Sequence, residues 1–178
     1  MKKCILFIGA DYTSIWAYKQ LSSSDMLKKV TAGEVELVMI CDQKNHYYHP
    51  FIGEVMSGFL PESAIHTPLR QIVKHAKIIH GKAVAVSPFS QQVSYTTPEG
   101  TEKEIHYDHL VMGCGQDQNS KLIAGAEKCI FTKKPHGLAE LNKHLARAFA
   151  ESSRNKLGEP FHIIILGAGL TGTEAAAY

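Results

Sequence analysis

Phe161 to Glu174 reads FHIIILGAGLTGTE, and no other stretch of the chain constrains its fold as tightly. The apolar run from Ile163 to Leu166 has the character of a buried parallel strand, and Gly167, Gly169 and Gly172 follow it as a complete GxGxxG. In such a strand-turn-helix unit the first glycine permits the tight turn, the second lets a pyrophosphate approach the backbone, and the third lets helix pack on strand. Free N–H groups at the helix start, around Leu170 and Thr171, would hold the anion. The acid that these units place about 20 positions further on, for a ribose, would fall beyond Tyr178.

The N-terminus echoes this stretch. Ile5 to Ser14, ILFIGADYTS, aligns without a gap on Ile163 to Gly172, IIILGAGLTG. Two strand-turn-helix starts therefore bracket the chain. In the first copy Gly9 keeps its place, but Asp11 and Ser14 stand where the second and third glycines would be. Helical spacing continues from Ile15 to Val30, with the serines at 22 to 24 suggesting an early end. The apolar run Val35 to Cys41 then closes on Asp42. Strand, turn, helix, strand, acid is the order of a dinucleotide-binding βαβ unit, in which Asp42 would hydrogen-bond a ribose hydroxyl. The plain reading of the same residue is an ordinary strand-end aspartate.

With 178 residues and 44% hydrophobic content the chain can bury one good core, so one domain plus the edge of another is expected. A formal charge of +2, with no basic cluster among aromatics, argues against nucleic acid as a partner. Cys4, Cys41, Cys114 and Cys129 lie far apart with neither CxxC nor zinc spacing, which suits a reduced, cytosolic setting. The apolar run after Lys2-Lys3 is too short and lacks the cleavage site of a signal peptide, and no run approaches the ~20 apolar residues of a membrane span. His46 and His49 have the spacing of a shared helix face, but Pro50 argues against a helix there and no carboxylate or cysteine completes a set, so no metal is expected.

Further elements follow from the pattern. A helix is expected within Ser63 to Ala76, with Pro68 at its start and Leu69, Ile72 and Val73 facing inward. Lys77 to Ser87 reads as strand, Gln92 to Thr96 and Ile105 to Tyr107 as a hairpin around Pro98-Glu99-Gly100, and Asp108 to Gly115 as a short buried strand ending in a tight turn. His136 to Arg154 reads as an amphipathic helix with Leu138, Leu141, Leu145, Ala148 and Phe149 on one side.

Taken together, the first strand and turn, Asp42, the segment His49-Pro50-Phe51 through Glu54, Gly58 and Pro68-Leu69-Arg70, the strand Tyr107 to Gly115, and GAGLTGTE resemble one family. The chain is similar to the N-terminal part of flavoproteins with two dinucleotide-binding domains, most closely type II NADH dehydrogenases, which pass electrons from NADH through FAD to a membrane quinone. The resemblance implies an α/β fold: a Rossmann-like FAD-binding domain over residues 1–155, with a parallel sheet and a β-meander insertion, then the first strand and helix start of an NAD(P)H-binding domain over 156–178. It also implies roles. Gly9, Ala10, Asp11, Tyr12, Thr13 and Ser14 would meet the FAD pyrophosphate, Asp42 the adenosine ribose, and Ala83 and Val84 the adenine. Pro50 would lie near the isoalloxazine, and Gly113-Cys114-Gly115 stands where the family has an Ala-Thr-Gly turn against the flavin. Gly167, Gly169, Leu170, Thr171 and Gly172 would bind NADH. Glu174 matches a family glutamate proposed to lie between flavin and quinone; a carboxylate near a helix start is also favoured by the dipole alone.

Two departures from the family stand out. Asp11 places a carboxylate where the pyrophosphate should approach. At an effective dielectric of ~20, two unit charges ~4 Å apart repel by roughly 4 kcal/mol, about a thousandfold in affinity. Asp11 could instead cap the helix in the phosphate's place. The other departure is length: the family completes its FAD domain with a C-terminal segment that also carries the membrane-binding end. The chain is thus expected to be a fragment without turnover of its own, cytoplasmic, peripheral at the inner face of the membrane when completed, and prone to self-association through exposed apolar surface. Disulfide reductases are disfavoured because no CxxxxC exists. The competing readings are a sulfide:quinone oxidoreductase, with Cys129 in about the right region, and a non-catalytic Rossmann-like remnant that does not bind FAD.

Overall fold

A computed structural model describes residues 2–115, 123–133, 137–154 and 162–177. The chain divides into two compact units, Met1–Tyr47 with Thr67–Gln116, and Tyr48–His66 with Asp117–Tyr178.

In the first unit, β1 (Lys3–Ile8) leads through α1 (Tyr12–Leu21) and α2 (Ser24–Thr31) to β2 (Val35–Cys41). The serines explain the break between the helices: Ser22 is the C-cap of α1, and the Ser23 hydroxyl caps α2 by accepting from the Met26 N–H at 3.4 Å. The short strand β3 (Asn45–Tyr47) ends the first segment of the unit. Between the segments lie a 3-10 turn (His49–Phe51), α3 (Ile52–Met56) and a second 3-10 turn (Glu62–Ile65), and β4 (His66–Pro68) then leads to α4 (Leu69–Ile72). The helix expected within Ser63 to Ala76 is thus a single turn, with Pro68 as its N-cap. Proline bars its preceding residue from helical geometry, so Thr67 is extended and the helix cannot start earlier. Leu69 and Val73 are buried as expected.

The run from Lys77 to Ser87 is two strands, β5 (Lys77–His80) and β6 (Lys82–Ser87). Gly81 separates them, its N–H donating to the Cys41 carbonyl at 3.0 Å, and a Cβ there would run into the Thr96 carbonyl. Strands β7 (Gln92–Thr96) and β8 (Glu102–His106) form the expected hairpin, and β7 pairs antiparallel with both β8 and β6. Strand β9 (His109–Met112) returns to the parallel sheet, whose order is β5-β2-β1-β9.

This parallel sheet is buried on both faces, which is why its central strands read as continuous apolar runs. Ile5, Phe7, Leu37 and Met39 pack with Ile15 and Tyr18 of α1 and with Leu69 and Val73. Leu6, Ile8, Val38 and Ile40 pack with Val93, Tyr95 and Tyr107 of the antiparallel layer.

The second unit contains α3, the 3-10 turn Ala126–Lys128, α5 (Gly137–Arg154) and α6 (Leu170–Ala177), with α3 against both α5 and α6. Leu138 is buried and Leu141, Leu145 and Ala148 are partly so, while Phe149, expected on the same face, is 54% exposed. The Asn142 side-chain amide donates to the Val55 carbonyl at 3.1 Å. One expectation is overturned: Ile163 to Leu166 is not a strand, and Ile164 is 82% exposed. A parallel strand exists only by pairing, and no strand lies beside this run among the described residues of its unit.

Candidate functional site

Parallel strands deliver their C-terminal ends to one edge, and here the sequence-predicted residues of the first unit converge there. Ile8 is in register with Ile40 on one side and Met112 on the other, while Cys41 pairs with His80. The residues that follow are therefore neighbours: Gly9 to Ser14, Asp42, Gly81 and Gly113 to Gly115. Asp42 is exposed directly beyond β2. Ala83 and Val84 lie just past the end of β5, where the pairing of β6 with β7 is irregular between Ala83 and Ala85, and Val84 is 53% exposed.

The turn between β1 and α1 is closed by contacts from the β9 loop. Gly9 has a φ of +83°, and a Cβ on it would strike the Gly113 carbonyl. Its own N–H donates to Ile40 O at 2.8 Å, and the Gly113 N–H donates to Ile8 O at 2.8 Å. Ser14 is fully buried, and its hydroxyl donates to the same Ile8 carbonyl at 3.2 Å. His46 is buried beneath the turn with Nδ1 2.9 Å from the Ala10 carbonyl, its ring 5.6 Å from that of Tyr12. Among the described residues no three histidine, cysteine or acidic side chains gather as a metal would require.

Asp11 is the N-cap of α1. Its Oδ1 accepts from the Tyr12 N–H at 2.8 Å and its carbonyl accepts from Ile15 N–H at 3.1 Å. The other carboxylate oxygen lies against Gly115, in the space a Cβ would occupy there. Gly115 has a φ of +70°, so glycine is favoured on backbone grounds as well.

The second turn, in the other unit, is an internal comparison. Gly167 again has a positive φ, +109°, and α6 again begins three residues later. Gly169, the counterpart of Asp11, has open space where a Cβ would be. Gly172, the counterpart of Ser14, packs on the Gly167 carbonyl so closely that no Cβ fits. Thr173 Oγ1 donates to the Gly169 carbonyl at 3.1 Å. Glu174 is partly buried on α6, but it is the fifth helical residue and no acid lies in the first turn, so proximity to the helix start does not explain it. Pro50, in the same unit, is exposed in the 3-10 turn.

The pattern of the pyridine nucleotide-disulphide oxidoreductase family matches residues 4–178. The chain belongs to that family. It is 23% identical over 191 residues to the external alternative NAD(P)H-ubiquinone oxidoreductase B2, mitochondrial, of Arabidopsis thaliana, covering 99% of this chain and 31% of the relative. To the type II NADH:quinone oxidoreductase of Staphylococcus haemolyticus it is 25% identical over 178 residues, 97% of this chain and 42% of that protein. The solved structure of NDH2 from Plasmodium falciparum in complex with NADH shares the fold, with a TM-score of 0.71 over 86% of this chain and 30% of that one at 14% identity. The chain thus spans roughly 30 to 40% of the length of these family members.

The family's use of a dinucleotide gives the strand-end geometry a direct test. The close turn at Gly9 and the exposed Asp42 beyond β2 fit such a ligand. At the helix start the Asp11 carboxylate already takes the Tyr12 N–H, one of the groups a pyrophosphate would meet. Sequence reasoning found Asp11 and Ser14 as departures but missed their partners. Gly113 and Gly115 lie about a hundred residues away, and only the β1–β9 pairing brings them across. Cys114, between them, is exposed with Sγ 3.9 Å from the Ile8 carbonyl.

The remaining cysteines divide by burial. Burial pushes the Cys4 thiol up to about 11, with Glu36 and Asp108 adding to the rise. Burial likewise pushes Cys41 up to about 11, reinforced by Asp42. Cys129 is exposed. All four are free, and no helix of the described residues is long and apolar enough to cross a membrane.

Proposed function

We propose that this chain is the N-terminal portion of a flavin-dependent oxidoreductase that passes electrons from NADH through FAD to a quinone. The first strand-turn-helix would be the FAD site and GAGLTG the NADH site, with the domain boundary near residue 155 and the enzyme working at the cytoplasmic face of a membrane. The observation that carries this reading is the convergence of Gly9 to Ser14, Asp42 and Gly113 to Gly115 on the carboxyl edge of a β5-β2-β1-β9 parallel sheet. Open parallel sheets bind ligands at that edge.

On this reading Gly9 and the α1 start face the pyrophosphate, Asp42 takes the ribose, Ala83 and Val84 border the adenine, and Pro50 and Glu174 serve the flavin and quinone end. In the second turn Gly169 leaves its backbone open to a phosphate, which suits NADH. The test is titration of the purified chain and of its Asp11→Gly variant with FAD, followed through the visible flavin bands. Binding near one FAD per chain by either protein supports the reading. Absence of binding by both, with both folded by circular dichroism, overturns it.

A further inference from the structure

The two residues that replace glycine at the first turn are each met by a glycine from the opposite loop. A Cβ on Gly113 would overlap Ser14 Oγ, and a Cβ on Gly115 would overlap Asp11 Oδ2. The Ser14 hydroxyl donates to Ile8 O, and Asp11 Oδ1 accepts from the Tyr12 N–H. A turn that had merely lost its glycines would show unsatisfied groups or steric conflict here. Here both groups are hydrogen-bonded, and the carboxylate's other oxygen lies against Gly115, at the place that Gly169 leaves open in the second turn.

From this geometry we infer that Asp11 is a resident anion of the first nucleotide site. It takes the helix-start N–H and the charge complement that a dinucleotide pyrophosphate would use, and it holds the site against phosphate-bearing ligands. The inference rests on the flavin reading above and gives that site a regulation: FAD enters only when the carboxylate is turned out of the helix start. Asp11 is then a positioning and excluding residue, whose carboxylate caps the helix in the place of a phosphate.

The experiment compares FAD binding to the wild-type chain, Asp11→Asn and Asp11→Gly, by quenching of flavin fluorescence, with circular dichroism on each protein. Asparagine keeps an oxygen for the Tyr12 N–H and removes only the charge, so it guards against a variant that fails to fold. The expected result is FAD binding by Asp11→Asn at least a hundredfold tighter than by wild type. The upper bound is about a thousandfold, the repulsion of two unit charges ~4 Å apart at an effective dielectric of ~20. Asp11→Gly is expected to bind at least as tightly as Asp11→Asn, and to melt lower than wild type without FAD because the cap is gone. Wild type and Asp11→Asn binding FAD equally would overturn the inference and leave the flavin reading standing. No binding by any of the three, all folded, would overturn the flavin reading and the inference with it.

Discussion

Gly113→Ala would drive a methyl group into the most crowded point of the first turn, and the cost can be worked from its surroundings. The new Cβ would overlap Ser14 Oγ and lie 2.6 Å from the Ser14 backbone nitrogen and 3.1 Å from its Cβ. Ser14 is completely buried and Gly113 nearly so, so neither can relax into solvent. Overpacking of this kind costs about 1–3 kcal/mol. Displacing the Ser14 hydroxyl from Ile8 O adds about 1 kcal/mol, for a total of about 2–4 kcal/mol. Ser14→Gly alone loses the same hydrogen bond and places glycine in a helix, about 1–2 kcal/mol together. The Ile8 carbonyl keeps the Gly113 N–H at 2.8 Å throughout. In the double variant the hydrogen bond is lost only once and the overlap with Oγ is gone, although the backbone nitrogen still crowds the methyl. The pair should therefore cost about 1–2 kcal/mol less than the sum of the singles, a coupling within the range seen for residues in contact. Urea unfolding measures it, with Trp16 as the only tryptophan and a native probe on α1 itself. A double variant within about 0.5 kcal/mol of the sum would refute the claim that Gly113 makes room for Ser14.

Other predictions follow from contacts elsewhere in the first unit. Asp108 joins β9 to β1 from both directions, its Oδ2 accepting from the Cys4 N–H at 2.7 Å and its own N–H donating to Cys4 O at 2.9 Å. Asp108→Ala leaves the Cys4 N–H without its acceptor and should lower stability by about 1–3 kcal/mol in urea unfolding; Asp108→Asn, which still offers an oxygen, should cost clearly less. Iodoacetamide at pH 8 should modify Cys114 and Cys129 long before Cys4 and Cys41, read by mass spectrometry of the peptides; equal rates would contradict the burial that raises the latter two. Because the folded chain holds those two protons more tightly than the unfolded chain, the stability they contribute is full below about pH 9 and falls as pH rises towards 11. Melting temperatures across that window should drop, and less steeply for Cys4→Ser, which removes one of the two titrating groups.

Much of the architecture can be read from local pattern. The run Val35 to Cys41 becomes β2 with those bounds, because a strand buried on both faces has no polar face to hide it. The gap-free echo of Ile163 to Gly172 in Ile5 to Ser14 points to two turns, and both adopt a positive φ at their first glycine. Asp11 and Ser14 stand out as departures for the same reason: a known motif assigns each position a job. Where the pattern misled, a partner was lacking or a neighbour intervened. Pro68 cut a helix to one turn, Gly81 split a strand between two sheets, and Ile163 to Leu166 found no strand to pair with among the described residues.

By itself, then, the sequence determined the parallel βαβ order, the two glycine turns and the presence of a carboxylate at the first of them. These are read from patterns within each strand, turn or helix, whose steric and hydrogen-bonding demands are local. What the carboxylate does was decided by tertiary structure. The β1–β9 pairing carries Gly113 and Gly115 across about a hundred residues to face Ser14 and Asp11, and that approach converts two missing glycines into a packed turn with its own anion.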